Sequence, residues 1–501
     1  MNTITSLSEL SRTAAEEFKK LNPVAADELQ KAGVNLATGL VAYDLQAPAK
    51  NLFPVLTPLR NLIPRVAGGG GTATNWKRVT AINSTTMRAA VPEGTRNGVM
   101  SITTDDKSAT YASLGMEDSV TFEAEDAAKG FEDIRATEAQ RLLWATMLQE
   151  ERFDLGGNYS TLLGTPTAPT VTVVNGGGSI ADDATGYTVQ VVALTAHGAE
   201  ASSLAGGVVQ QVSVTPADGS SAFTYGGGSS QVSSGTATGA ISNGNDSAIR
   251  ASTPVVAGAV AYAWYVGVTG SGAIKLQAIT YINSVELTSL SSSYQNVTAI
   301  TADYSKNTLG YDGLLYHAWS SGSGAYIKNM ATGTAGTGTG LTASGKGTID
   351  EIDAMLESMW NNYKLIPDKI FVHAQEMNNI ASKIFGGTAN GALRYTVPLQ
   401  GEEMVLSAGI SKIKYQSLLG RVIPVEIHPD LTKGTLLACT SALPYPINNV
   451  PNVFEMRLQR DYMQYEWPLR TRKYETGVYF RGVLAHYFPP SLGIITNIAD
   501  A

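Results

Sequence analysis

The stretch Thr137-Glu-Ala-Gln-Arg-Leu-Leu-Trp-Ala-Thr-Met-Leu-Gln-Glu-Glu-Arg152 decides the fold, because it lies within a long run that lacks proline. The run extends from Glu125 to Leu155, and Gly156-Gly157 supplies a stop at its end. Its length predicts one amphipathic helix of about 45 Å. The predicted apolar side is Phe131, Ile134, Leu142 and Leu148, and the predicted solvent side is Arg135, Glu138, Arg141 and Glu150.

Composition excludes several classes of protein. At 501 residues the chain exceeds what one hydrophobic core usually serves, so we expect roughly two or three domains. The formal charge of -8 and the lack of a basic run argue against tight nucleic-acid binding. Cys439 is the only cysteine, which excludes a disulfide framework or a multi-cysteine zinc site within one chain. Only 16% of the residues are charged, which favours a surface covered by neighbours, and no signal peptide or membrane span is predicted.

The N-terminal part predicts two segments that reach away from the subunit. The prolines between Ala47 and Pro64 favour an extended arm that cannot bury its own apolar residues. After a glycine hinge at 68–71, residues 76–82 and 98–103 alternate as the strands of a long hairpin, and Ser119-Val-Thr-Phe-Glu123 closes it as a further strand. Because a two-stranded hairpin is marginal in water, we expect these segments to pack on a neighbouring subunit.

A separate domain is predicted from about Thr165, where the composition changes to Gly, Ser, Thr, Ala and Val. Four runs alternate with period two between turn-like segments: 187–194, 208–214, 261–268 and 274–279. Gly270-Ser-Gly272 separates the last two runs and predicts a hairpin. The pattern predicts an immunoglobulin-like or fibronectin-like β-sandwich, and the alternative is a disordered low-complexity linker.

An α+β region is predicted after a second flexible joint at 333–347. Thr348-Ile-Asp-Glu351 has the form of a capping box, and the helix that it opens carries Ile352, Met355 and Met359 on one face. The further predicted elements are a strand at 369–373, a helix at 375–385, strands at 421–427 and 435–439, and strand-rich runs from 454 to 498.

No motif in the sequence predicts catalysis, cofactor binding or a metal site. Gly340-Leu-Thr-Ala-Ser-Gly-Lys346 nearly matches a phosphate-binding loop, but Gly347 replaces the hydroxyl residue that would hold Mg²⁺. The histidines include no pair at i, i+4, so we interpret His373 as a hydrogen-bonded core residue and not as a ligand. No nucleophile elbow of a hydrolase is visible.

Two acidic pairs and the single thiol also have structural interpretations. Asp105-Asp106 and Asp182-Asp183 lie in segments that we interpret as solvated turns, where short acidic side chains bond their own backbone. Cys439 is flanked by apolar residues and is predicted to be buried, with a reactive thiol as the alternative.

The order of these parts resembles the major capsid proteins of tailed phages, the Hong Kong ninety-seven type. Residues 137–152 are similar to that family's spine helix, and Tyr465-Glu-Trp-Pro-Leu-Arg470 through Phe480-Arg-Gly-Val-Leu-Ala485 are similar to its closing strands. The resemblance covers about Leu45 to Asn158 and Gly340 to Ala501, and the block between looks like an inserted immunoglobulin-like domain. It implies an α+β phage major capsid fold with an inserted β-sandwich domain.

The resemblance also implies how the chain is divided. The implied parts are an N-terminal arm (1–66), the E-loop hairpin and flanking strand (67–124), the spine helix of the peripheral domain (125–164), the inserted β-sandwich (165–320), a flexible connector (321–347), the axial domain (348–450) and the closing strands of the peripheral and axial domains (451–501).

The function that the resemblance implies is structural and not enzymatic. Such a chain self-assembles into pentamers and hexamers of an icosahedral shell around double-stranded DNA, as part of a virion made in the host cytoplasm. The implied partners are further copies of the chain, portal, scaffolding and decoration proteins, and DNA bound without sequence specificity, with no cofactor and no membrane. The alternatives are an encapsulin-like compartment or, from another class, a secreted adhesin or glycan-binding protein. The neutral surface of the insertion predicts an outward-facing position.

Overall fold

The computed structural model describes residues 54–82, 89–98, 102–130, 132–344, 348–386, 413–416, 422–446 and 449–500. By their contacts, the described residues form two units, one of residues 120–137 and one of residues 54–119 and 138–500. The arm up to Phe53 and the end of the phosphate-loop-like segment, at 345–347, lie outside the described residues.

The described chain is a mixture of helices and strands, as the α+β prediction requires. The helices are α1 (Pro58–Leu62), α2 (Phe122–Ala128), α3 (Ile134–Gly156), α4 (Ala196–Ala201), α5 (Leu314–Trp319), α6 (Asp350–Tyr363) and α7 (Ala374–Gly386). The strands are β1 (Arg65–Ala67), β2 (Ala73–Ile82), β3 (Ile102–Thr110), β4 (Ala112–Thr121), β5 (Thr170–Ile180), β6 (Tyr187–Leu194), β7 (Gln211–Val214), β8 (Phe223–Gly226), β9 (Thr236–Ala237), β10 (Ser247–Ser252), β11 (Ala261–Val268), β12 (Lys275–Thr280), β13 (Ser284–Leu287), β14 (Tyr326–Asn329), β15 (Lys369–Val372), β16 (Ile413–Gln416), β17 (Val422–Ile427), β18 (Leu436–Cys439), β19 (Phe454–Glu466), β20 (Lys473–His486) and β21 (Gly493–Thr496).

Two sheets organise the parts that flank the insertion. The first has the order β1-β19-β20-β4 and is built on the long antiparallel pair β19–β20, to which β1 adds in parallel. The second is mixed, with the order β14-β21-β18-β15-β17-β16. Helix α6 packs Ile352, Met355 and Met359 into the same hydrophobic cluster as β15, β17 and β18, which confirms the predicted apolar face.

The long helix predicted from Glu125 to Leu155 is interrupted. Thr121 caps α2 by accepting a hydrogen bond from the Ala124 amide, so the chain is already helical at Phe122, where a strand was expected. Gly130 then adopts φ 88°, a left-handed conformation that stops the helix, and α3 begins at Ile134. At 23 residues, α3 is about 34 Å long, shorter than the predicted 45 Å.

The end of the arm is folded against its own subunit, which corrects the expectation of an arm that buries nothing. Residues 58–62 form α1, with a proline at the first helical position. Leu59 and Ile63 are fully buried and belong to the main hydrophobic core. Backbone hydrogen bonds then hold β1 beside β19, where Gly68 N donates to Leu458 O at 2.6 Å.

Residues 165–320, the region predicted to be an insertion, contain two sheets that share a hydrophobic cluster, with the orders β13-β10-β5 and β12-β11-β6-β9. Val191 and Trp264 of the larger sheet belong to the same cluster as Ile249 of the smaller one. Val192 and Tyr265, on the opposite face of the larger sheet, belong to the main core. The larger sheet is therefore buried on both faces, which explains the continuous apolar run of β11.

Most predicted strands of the insertion form as expected. β6 and β11 match the predicted runs in full, and β12 pairs with β11 as the predicted hairpin. The run at 208–214 is shortened to β7, which pairs with β8 in a separate two-stranded sheet.

The connector and the start of α6 differ from the prediction. Residues within 333–344 are hydrogen-bonded to other segments, since Gly336 N donates to Ser284 Oγ and Ala499 N donates to Thr339 O. The predicted capping box at 348–351 does not form, because α6 begins at Asp350 and no side chain caps it. The Thr348 hydroxyl donates to Asp353 instead.

Candidate assembly site

The residues that sequence reasoning singled out do not converge on one chemical site. Within the described part of the chain, no three or more His, Cys, Asp or Glu side chains are placed to hold a metal ion. Cys439 is fully buried, and burial raises the pKa of its thiol to about 12. His373 is half-buried and accepts a hydrogen bond from Gln375 N through Nδ1. Among the described helices, none is long and apolar enough to span a bilayer.

The two acidic pairs have different structural roles. Asp183 accepts hydrogen bonds from the nearby Thr185 and Gly186 amides, as expected for a turn, whereas Asp182 accepts from Asn243, Gly244 and Asn245 of a segment about 60 residues away. The interpretation of Asp105-Asp106 as a turn is wrong, because both residues lie within β3 and Asp105 pairs with Arg78 of β2. A strand of alternating residues is hard to recognise where most of its side chains are polar.

A buried carboxylate cluster on α3 is the feature that the sequence analysis missed. Glu150, Glu151 and Asp154 are at most 1% exposed, and Glu138 of the same helix is 6% exposed. The predicted solvent positions of Glu138 and Glu150 are therefore wrong. The sequence carried no signal of this burial, because Glu150, Glu151 and Asp154 lie within about 100° of one another around the helix and look like an ordinary solvent face.

Glu151 holds the start of α1. Its two carboxylate oxygens accept hydrogen bonds from Leu59 N at 2.8 Å and Arg60 N at 2.7 Å, amides that lack a partner within α1. His428 Nδ1 accepts from Asp430 N, so the hydrogen of the neutral ring lies on Nε2 and is donated to Glu151 at 2.7 Å. One side chain thus joins the arm, α3 and the end of β17.

Glu150 forms ion pairs with two arginines, Arg60 and Arg65. Arg60 Nε lies 3.0 Å and Arg65 Nη1 lies 2.5 Å from its carboxylate, and the Tyr462 hydroxyl also donates to it. Arg65 reaches Asp461 at 2.7 Å as well, and both guanidinium groups lie over the Tyr462 ring. These charged bonds connect α1, β1 and β19 to α3.

Asp154 differs from its neighbours because it forms no ion pair with a lysine, arginine or histidine of the described chain. Burial, the neighbouring Glu150 charge and the Glu151 charge raise its pKa well above the usual range, although a hydrogen bond from the Tyr311 hydroxyl at 2.8 Å opposes the shift. Burial also raises the pKa of Tyr311. The protein therefore favours a neutral Asp154 over a third buried negative charge beside Glu150 and Glu151.

The base of the hairpin β2–β3 is seated on the same subunit. Thr74, Trp76, Arg78 and Thr80 alternate as buried positions of β2, so the expectation that this strand finds no cover within its own subunit is wrong. Val79 N donates to Tyr487 O at 2.8 Å and Trp76 Nε1 donates to His486 O at 3.1 Å.

The rest of the hairpin has little cover from the described residues. β3 contains no fully buried residue, and β2–β3 is a sheet of only two strands among the described residues. Val91 near the tip is 47% exposed and Ile102 is 51% exposed. An isolated two-stranded ribbon gains too little from burial to be stable in water, so this segment requires a covering surface.

An aromatic groove of about 580 Å³ lies on the β4–β20–β19 sheet. Tyr465 and Trp467 stack at 5.9 Å between ring centroids, and Arg460 and Arg481 also line the groove. Trp467 and the nearby Leu469 are 39% and 58% exposed. Exposed aromatic and arginine side chains of this kind are typical of protein interfaces.

The chain is similar to several solved structures of capsids and of an encapsulin. They include the capsid of cyanophage A-1(L), at 11% identity and a TM-score of 0.41 over 92% of this chain and 98% of that one. The capsid of Myoviridae phage XM1 is 10% identical, with a TM-score of 0.36 over 91% of this chain and 97% of that one. The SrpI encapsulin of Synechococcus elongatus is 9% identical, with a TM-score of 0.35 over 95% and 96%. No family model matches the chain, and no curated protein is similar to it in sequence.

Proposed function

We propose that this chain is the subunit of a capsid-type protein shell and has no enzymatic activity. The observation that carries the proposal is the outer part of the hairpin β2–β3, which exposes Val91 and Ile102 and has no third strand in the described chain. A second copy of the chain provides the missing cover, and closed symmetric assembly provides it for every copy at once.

More specifically, we propose that the chain is a phage major capsid protein. Pentamers and hexamers of the chain build an icosahedral shell that encloses double-stranded DNA in a virion. Portal, scaffolding and decoration proteins are the further partners. The formal charge of -8 supports contact with DNA that is weak and independent of sequence, since few phosphates would be neutralised by the wall.

The test is assembly of the full-length chain with apolar contacts removed from the hairpin. In Val91→Asp/Ile102→Asp, the subunit stays folded, and shells or capsomers are lost in electron micrographs and in sedimentation profiles. The matched control is Leu162→Asp, because Leu162 is 57% exposed on the segment after α3. Shells that form equally well in both variants would contradict the proposal.

The contents of purified shells separate a virion from an encapsulin-like compartment. A phage shell contains nuclease-resistant double-stranded DNA after digestion of the outside. A protein cargo without nucleic acid would identify the compartment, and the shell proposal itself would stand.

The inserted region is proposed to face outward, where decoration proteins would reach it. Its neutral Ser- and Thr-rich surface supports this position. Limited proteolysis of intact particles tests it, since cleavage within 165–320 is expected, and complete protection there would place the insertion inside the wall.

A further inference from the structure

Two buried histidines lie under the base of the hairpin. His486, at the end of β20, is 0% exposed, and His317 of α5 is 8% exposed. Their ring centroids are 5.7 Å apart, and the ring of Phe454 lies 5.8 Å from His486. His317 Nε2 is 3.2 Å from Leu484 O, so it holds the hydrogen and donates it. Neither ring nitrogen of His486 has a hydrogen-bond partner among the described residues.

A buried cation faces this pair from the hairpin itself. Arg78 of β2 is 1% exposed and pairs with Asp105 at 2.7 Å. Its guanidinium also donates to Ser320 Oγ at 2.6 Å and to Ser321 O at 2.9 Å, just after α5. Arg78 therefore joins both hairpin strands to the turn that follows His317.

Two carboxylates lie near the pair, Asp105 and Asp312. Lys107 of β3 shares Asp105 with Arg78, at 3.4 Å from the same carboxylate. Asp312, which precedes α5, already accepts hydrogen bonds from Tyr159 N and Ser160 N. From β19, the side chain that faces His486 is the apolar ring of Phe454.

The neutral form of both rings is favoured in this setting. Burial lowers the pKa of His486 well below its usual range, and the nearby His317 and Arg78 lower it further. Burial also lowers the pKa of His317, although the Asp312 charge opposes that shift. A proton on His486 would place a second positive charge near Arg78 with no hydrogen-bond acceptor for it among the described residues, whereas the Asp312 charge partly offsets such a proton on His317.

We propose that His317 and His486 form a pH-sensitive latch that keeps the base of the hairpin seated at neutral pH and releases it in acid. A released hairpin exposes both rings to water, where their pKa returns to about 6.5. The released state then binds more protons than the seated state below that pH, so acid favours release. The seated state of the hairpin base is fully stable above about pH 6.5 and becomes less stable as the pH falls below that value. The latch belongs to the single subunit and does not depend on shell assembly.

Hydrogen exchange of the full-length subunit between about pH 5.5 and pH 7.5, corrected for the intrinsic rate at each pH, tests the latch. In the wild type, protection of the Val79 amide, which bonds Tyr487 O, falls about tenfold on acidification to pH 5.5, the change expected for one histidine that stays neutral when seated and has a pKa of about 6.5 when released. Amides of β11 keep their protection over the same range, which shows that the opening is local.

Variants separate the latch from general acid sensitivity. His486→Phe keeps the ring shape and loses no hydrogen bond of the ring, so it abolishes most of the pH dependence at Val79. His317→Gln keeps a donor toward Leu484 O and reports on the same pair if His486→Phe fails to fold. The control is His373→Asn, which removes a distant histidine and preserves an acceptor for Gln375 N. Unchanged pH dependence in both latch variants would overturn the proposal, as would its loss in the control.

Discussion

Replacing Glu150 by Gln keeps the shape of the side chain and removes the negative charge that Arg60 and Arg65 share. The carboxylate is completely buried, whereas the two arginine side chains are 16% and 20% exposed. Breaking a buried ion pair costs about 3–5 kcal/mol because a charge is left without its partner. Since water reaches part of both guanidinium groups, we expect the lower end, about 3 kcal/mol.

In Glu150→Gln, this loss of free energy should make α1 and β1 detach from α3 more often. The Gly68 amide, which donates to Leu458 O, and the Met456 amide, which donates to Pro64 O, report directly on the seating of this segment. At 1.36 kcal/mol per factor of ten, about 3 kcal/mol lowers their protection against hydrogen exchange roughly 100-fold. Mass spectrometry of the exchanged full-length chain measures this, and protection in β11 serves as the internal reference.

Asp106→Asn is the matched control, because it also removes one carboxylate from an ion pair. Asp106 and Lys77 are 3.8 Å apart and their side chains are 80% and 75% exposed. An exposed pair contributes about 0–1 kcal/mol, so protection near Gly68 should stay within about threefold of the wild type. If Glu150→Gln changed protection there no more than Asp106→Asn does, the arm would not be held by the α3 cluster.

Further predictions concern the core, the pH response and the exposed groove. Trp264→Ala removes a fully buried ring from the insertion and should cost about 3–5 kcal/mol, seen as a lower urea midpoint for unfolding. Glu376 is fully buried, and burial raises its pKa to about 7, so the folded state binds the extra proton and loses stability as the pH rises from about 4.5 to 7. In the wild type this change costs about 3 kcal/mol of stability, and Glu376→Gln should abolish it. The measurement is the urea midpoint of unfolding at pH 5 and at pH 8. A variant whose midpoint falls between these pH values as much as that of the wild type would refute the prediction. Leu469→Ser, at a side chain 58% exposed, should change subunit stability by less than about 0.5 kcal/mol while weakening assembly in sedimentation experiments.

Local patterns in the sequence were sufficient where short-range chemistry decides the structure. Alternating apolar residues predicted β6 and β11 with the bounds that the structure has, since a strand buried in a sheet needs little more than that pattern. The apolar spacing of Ile352, Met355 and Met359 predicted the buried face of α6. The immunoglobulin-like character of the insertion and the division of the chain into capsid domains stay predictions.

Only the tertiary structure determines which charged side chains are buried and with which partners. Glu150 and Glu151 look like solvent-facing residues in an isolated helix, because a carboxylate is normally buried only with partners. Their partners are Arg60, Arg65 and His428, which lie about 85–280 residues away in sequence, beyond the reach of any local pattern. Likewise, only the packing of β20 against α5 and β2 places His486 and His317 beside Arg78. The sequence alone determined those strands and helices whose apolar pattern is regular, such as β6, β11 and α6, and the long-range pairing of buried charges determined how α1 and β1 are held to α3.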